Sequence, residues 1–324
     1  MNRTFKFGAH VRHLDLPLMN IRARPLGAIW CPNLRSLKIE VDYLVPASIC
    51  DLPSLAATFH ACPNLIAFDF VMQEAPLVPA GFWESEDETR FMCSISRLRL
   101  LRFDIRGRVL FDPRGSQRMD TLMRINQSVG PALEQWHAVG PRESQIRVLA
   151  QAPNLKHLTI DSFTGNILNH PTTLRFLRLP NRVENFSTMF PLFLAACPLL
   201  DELDLVENCI DDGGFDVLWT HRPLELLRAA RTFLVSAAAI ARYLTLRGSR
   251  LRRLTLPAHH SLFLSGEGGV ISAALIASAP RLTMVDFGRI GKLYPAAIVK
   301  MADQLPHLRV VGIRNRSPGY EGRI

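Results

Sequence analysis

Apolar positions along this chain fall into one short phrase that returns again and again. CPNLRSLKI (31–39), CPNLIAFDF (62–70), APNLKHLTI (152–160), CPLLDELDL (197–205), APRLTMVDF (279–287) and LPHLRVVGI (305–313) share the spacing L-x-x-L-x-L. Twelve segments align on it, with the middle anchor at Leu14, Leu37, Phe68, Phe103, Trp136, Leu158, Leu177, Leu203, Leu227, Leu254, Val285 and Val311, a mean interval of 27 residues. Self-similarity at such a period marks a repeat architecture, in which each unit buries its apolar face only by stacking on its neighbours.

Two further features make the pattern specific. Pro stands two residues before the first anchor in seven of the twelve segments (Pro32, Pro63, Pro131, Pro153, Pro198, Pro280, Pro306). The residue between the last two anchors is never apolar: Asp15, Lys38, Asp69, Asp104, His137, Thr159, Arg178, Asp204, Arg228, Thr255, Asp286 and Gly312. L-x-L alternation predicts a short strand whose leucines enter a core while the intervening side chain faces solvent. Pro cannot continue a helix, so the apolar stretches before it (55–61, 146–152, 193–196, 271–279 and 296–305) predict helices that end there. Each unit then reads strand, turn, helix, Pro, strand. The expectation is an α/β solenoid, a curved parallel sheet on the concave side and helices on the convex side, as a single body over residues 1–314 with a polar tail at 315–324.

At this point the sequence resembles the leucine-rich-repeat family. Its best single unit is LDELDLVENCIDDGGFDVL (200–218), which looks like the family's L-x-x-L-x-L-x-x-N-x-I core. The resemblance implies that Asn208 bridges the turns of adjacent repeats, and no other repeat has Asn at the matching position. More narrowly, the A-C-P-N-L phrase and the opening V-R-H-L-D-L resemble the substrate-binding region of fungal F-box/leucine-rich-repeat proteins. That resemblance implies capture of a protein for ubiquitination, with the adaptor Skp1 bound through an amino-terminal helical box. The first repeat begins by Val11, so Skp1 is an expected partner only if such a box is missing from this sequence.

Composition narrows the setting. Apolar residues make up 48% of the 324, too many for a disordered chain. The longest strongly apolar runs are near ten residues, about half a membrane span. No secretory apolar core opens the sequence, which predicts a cytoplasmic or nuclear protein with no membrane association, expected to be a monomer. Net charge is +9, and only five of the 38 basic residues are Lys. Arg tolerates partial burial better than Lys, so its dominance fits cations packed into structure or interfaces. The six cysteines form no CxxC pair, and Cys31, Cys62 and Cys197 each precede Pro. That shared context predicts reduced thiols filling one small buried slot per repeat.

The outward columns of the strands are the candidate binding surface, expected to take a protein ligand on the concave face. Its residues are Lys38, Asp69, Arg102, Asp104, His137, His157, Phe176, Arg178, Glu202, Asp204, Arg228, Arg253 and Asp286. Mixed charge with occasional aromatic anchors suits a polypeptide better than a phosphate backbone. A nucleic-acid-binding Arg surface and a GTPase-regulatory repeat protein are the alternatives. SGEGG (265–269) and GRIGK (288–292) lack the phosphate-loop spacing, His259-His260 lacks the offset of a metal pair, and Asp211-Asp212 reads as a helix cap. Catalytic residues, metal and cofactor are therefore not expected. The in/out assignment also makes a quantitative expectation: Leu203→Asp unfolds the middle of the array, while Asp204→Ala leaves stability within ~0.5 kcal/mol.

Overall fold

The computed structural model describes residues 5–6, 10–18, 29–41, 52–72, 86–105, 128, 130–138, 152–160, 173–179, 186–205, 210–229, 235–256, 268–287 and 295–312. The chain divides into two compact units, Met1–Ile160 and Asp161–Ile324.

In the first unit the L-x-L segments become β2 (His13–Leu18), β4 (Ser36–Val41), β5 (Ala67–Met72), β6 (Leu100–Ile105), β7 (Gln135–Ala138) and β8 (His157–Ile160). All pair in parallel with their neighbours in chain order. A separate parallel pair, β1 (Phe5–Lys6) with β3 (Ile29–Trp30), has no counterpart in the repeat pattern. Helices α1 (Leu52–Ala61) and α2 (Glu86–Ile95) pack on each other across the sheet. Phe59 of α1 and Phe91 of α2 meet Phe68 of β5 edge to face, at 4.9 and 6.4 Å between ring centres, which fixes helices and strand around one buried cluster.

The second unit repeats the arrangement with β9 (Phe176–Arg178), β10 (Glu202–Asp204), β11 (Leu226–Arg228), β12 (Arg253–Thr255), β13 (Met284–Asp286) and β14 (Val310–Gly312), again parallel and in chain order. Its helices are α3 (Phe186–Ala196), α4 (Asp212–Asp216), α5 (Ala237–Arg247), α6 (Gly268–Ser278) and α7 (Pro295–Gln304). Each unit is thus a leucine-rich-repeat solenoid: parallel strands on one side, helices on the other, and middle anchors such as Leu37, Phe68, Leu203 and Val285 wholly buried between them. Of the expected helices, the one at 146–152 lies outside the described residues apart from Ala152. α2 and α5 were not expected, because no Pro follows either of them.

The recurring phrase has one structural meaning. The residue before Pro accepts a hydrogen bond from the N–H of the first anchor three residues on: Leu34 to Cys31 at 3.1 Å, Leu65 to Cys62 at 3.0 Å, Leu155 to Ala152 at 3.0 Å, Leu200 to Cys197 at 3.1 Å, Leu282 to Ala279 at 3.1 Å. Pro therefore sits at the second position of a β-turn, where its restricted φ is favourable. The turn's first residue points into the core, and Cys31, Cys62, Ala152, Cys197 and Ala279 have no exposed surface. Asn at the third position also matters. Asn64 donates to the Pro32 carbonyl at 2.8 Å and Asn154 to the Pro131 carbonyl at 2.9 Å, tying each turn to the one before. Cys31, Cys62, Cys93 and Cys197 are free thiols. Burial pushes the Cys197 thiol up to about 12 and raises that of Cys62.

One register differs from the expectation. Phe68 pairs with Leu101, not Phe103, and Asp69 with Arg102, not Asp104, which lies beside Val71. RLRLLRFDI (97–105) satisfies the template twice, from Leu98 and from Leu100. The turn decides between them: the Leu98 N–H bonds to the Ile95 carbonyl at 3.0 Å, so Leu98 is the first anchor.

Candidate functional site

Backbone register sets the columns on the helix-free face. In the first unit the central column runs Asp15, Lys38, Asp69, Arg102, His137, Thr159. In the second it runs Arg178, Asp204, Arg228, Thr255, Asp286, Gly312. The flanking column holds His157 in the first unit, and Phe176, Glu202, Leu226, Arg253, Met284 and Val310 in the second. Every candidate residue except Asp104 falls in these two columns. Asp104 stands two positions farther along β6, and its side chain lies outside the described residues.

Opposite charges meet across strands. Lys38 donates to Asp15 at 3.2 Å and lies 3.5 Å from Glu40, and these partners raise its pKa, the Asp15 hydrogen bond most. Asp69 is different. Its Oδ1 lies 3.8 Å from Arg102 Nε, beyond hydrogen-bond reach, and burial raises its pKa against the opposing pull of Arg102, Lys38 and His137.

Two column residues are not solvated, contrary to the alternation. Asp204 is 1% exposed and Asp286 7%. Asp is short, and the Arg228 and Arg178 side chains flank Asp204 from both neighbouring strands, with guanidinium nitrogens 3.0 and 3.9 Å from its Oδ2. Asp286 lies over the Gly312 backbone so closely that a Cβ there would meet its Cγ at 3.0 Å.

A third line of charge escaped the sequence reading because it lies just before the strands, one residue after the first anchor. In the first unit Glu134 takes a hydrogen bond from Arg99 Nε at 2.8 Å and from Lys156 at 3.2 Å, which together hold its carboxyl below the usual range. In the second, Arg175 reaches Asp201 at 2.9 Å, Arg222 also donates to Asp201, and Arg250 donates to Glu225 at 2.8 Å. Glu225 also lies 3.8 Å from Arg252 Nε. The readable signal was that this one template position is charged in both units: Arg99, Glu134 and Lys156 in the first, and Arg175, Asp201, Glu225 and Arg252 in the second, where two acidic residues stand between two arginines.

Other arginines serve the scaffold. Arg97 donates to the Phe59 carbonyl at 2.7 Å, closing the end of α1, and Arg247 donates to the Trp219 carbonyl at 2.8 Å. Asp211 caps α4 by accepting from the Gly214 N–H at 2.8 Å, as its place at a helix start implied. Asp212 accepts from the Ser236 N–H and hydroxyl, and Ser236 in turn caps α5. Asn208, His259-His260, GRIGK and most of SGEGG lie outside the described residues. Among the described residues no group of three or more His, Cys, Asp or Glu is placed to hold a metal, and no helix is long and apolar enough to cross a membrane.

No protein-family profile matches the chain. No curated protein matches it either. Solved structures do. A chain of the yeast Rad7 and Elc1 complex is similar over 89% of this chain and 72% of its own, with a TM-score of 0.58 at 18% identity. An internalin from Listeria monocytogenes is similar over 94% of this chain and 88% of its own, with a TM-score of 0.43 at 14% identity. At such identities the likeness to the Rad7–Elc1 chain is one of fold, and it agrees with the leucine-rich-repeat architecture built up from the turns and strands.

Proposed function

We propose that this chain is a non-enzymatic protein-interaction module that captures a protein ligand on the helix-free strand face, as one solenoid over residues 1–314. The observation that carries the reading is the pair of registered side-chain columns, charged and partly aromatic, on a face that no described helix covers. Repeat solenoids bind with this surface because outward side chains of successive strands lie in adjacent rows. The chain of similar fold was crystallised as part of a protein complex, which supports the same reading.

The finer form of the proposal is substrate recognition in an F-box-like ubiquitin-ligase setting, in the cytoplasm or nucleus. Affinity purification tests both levels. Lys38→Glu and Arg253→Glu alter the strand face, and Lys300→Glu alters α7 on the helix side by the same charge. Loss of a partner from the two face variants, with retention by Lys300→Glu, supports docking on the strands; equal recovery by all three refutes it. Co-recovery of Skp1 and a cullin supports the ligase setting, whereas reproducible partners without Skp1 remove it.

A further inference from the structure

This inference rests on the strand face being a docking surface and names the partner that the second unit's face fits. We propose that it takes an acidic polypeptide segment with apolar residues interspersed among its carboxylates.

The sequence presents this face as a mixed-sign stripe, but burial separates the signs. The carboxylates sink and the guanidiniums stand out. The side chain of Asp204 is 1% exposed, against 44% and 47% for its partners Arg178 and Arg228. Along the strand edge Asp201 is 16% exposed and Glu225 34%, against 55% for Arg175 and 59% for Arg252. Arg253 is exposed on β12, and no acidic partner of its side chain is found among the described residues. A ligand approaching these strands therefore meets cations first. Each buried carboxylate also holds its arginines in place, so the guanidinium forks are oriented before a partner arrives and lose less side-chain freedom on binding.

Spacing favours a polypeptide. Arg178 and Arg228 occupy one column two strands apart, about 10 Å. A polyproline-II-like extended chain has three residues per turn at about 3.1 Å each, so carboxylates three residues apart lie on one side, about 9 Å apart, and reach both. The flanking column places Phe176, Met284 and Val310, which keep exposed surface, on the same strand face as these cations, while Leu226 in that column is buried. Glu202, half-exposed between Phe176 and Leu226, opposes a continuous phosphate backbone but is readily stepped over by a peptide that puts an apolar or neutral residue there.

Fluorescence anisotropy on the full chain tests this. The probes are a labelled peptide with Glu at every third position and Leu among the residues between, the same peptide with Gln in place of Glu, and a single-stranded oligonucleotide of matched charge. The Glu peptide should bind at least about tenfold tighter than the Gln peptide, with affinity falling as salt rises. Arg253→Glu should weaken it about tenfold; Arg178→Gln, which introduces no new charge, should weaken it several-fold; Lys300→Glu should leave it unchanged. Tighter, Arg253-dependent binding of the oligonucleotide overturns the proposal in favour of nucleic acid. Equal binding of Glu and Gln peptides overturns the acidic class, and strand-face-dependent partner capture in the purification would then leave docking itself standing. Failure of both experiments removes the docking surface along with its ligand class.

Discussion

Asp204 offers the sharpest quantitative test, because alternation alone puts it in water and the structure puts it under two arginines. Removing its carboxylate in Asp204→Ala deletes the charge-assisted hydrogen bond from Arg228 at 3.0 Å and the weaker contact with Arg178 at 3.9 Å, among its contacts. A hydrogen bond to a charged group contributes about 1.5–3 kcal/mol, and an exposed ion pair about 0–1. The carboxylate is buried but both guanidiniums are nearly half exposed, so the pair falls between these limits. The two arginines left behind, about 10 Å apart, repel by about 0.4 kcal/mol in water before salt screening. The expected loss is therefore about 1–2 kcal/mol, and Asp204→Asn, which keeps the shape and one acceptor, should lose about half of that. Urea denaturation of Asp204→Ala, Arg228→Ala and the double variant gives a coupling energy near 1 kcal/mol if the contact is as described. Amide exchange adds a local readout, since the Leu179 N–H bonds to the Asp204 carbonyl and the Leu205 N–H to that of Arg228. A loss below ~0.5 kcal/mol with no coupling would refute the burial argument and restore a solvated column.

Asp69 should behave in the opposite sense. Its folded pKa lies above its unfolded one, so its ionisation opposes folding, and the stability it allows at acid pH is lost as pH rises through the folded pKa. Asp69→Asn should thus be neutral or stabilising at pH 7, with the gain shrinking as pH falls toward 4, measured by urea midpoint against pH. Gly130→Ala should destabilise by about 2–4 kcal/mol, because a methyl group there would collide with the Ser96 carbonyl of the preceding turn; a thermal midpoint within one degree of the parent would contradict this. Peptide mapping after alkylation at pH 8 should find Cys93, which is exposed, modified in the folded protein, and Cys31, Cys62 and Cys197 modified only on unfolding. Asn64→Ala should cost about 0.5–1.5 kcal/mol through loss of the Pro32 contact, and Leu203→Asp should abolish cooperative folding of the second unit.

The repeat itself was legible in the sequence because its causes are local. A β-turn needs Pro or a similar residue at its second position, a small residue where its first side chain meets the core, and leucines at alternate strand positions. All of these leave marks within nine residues, as in CPNLRSLKI. Parallel strands, helices ending at Pro, the buried cysteine slot and the Asp211 cap followed from that local chemistry. Which residues compose the strand-face columns was legible only in outline, because it depends on neighbours some 27 residues away. The 97–105 segment fits the template in two frames, and only hydrogen bonds to β5 and the Ile95 turn choose the one that puts Arg102 in the column. Whether an outward Asp is wet or covered depends on the length of the side chains on both adjoining strands. Arg178 and Arg228 cover Asp204, whereas Asp15, paired with Lys38, keeps 61% of its side chain exposed. Sequence therefore determined the turn, the strand and the alternation; stacking decided the register and which charges reach solvent, since both are set by what the next repeat places alongside.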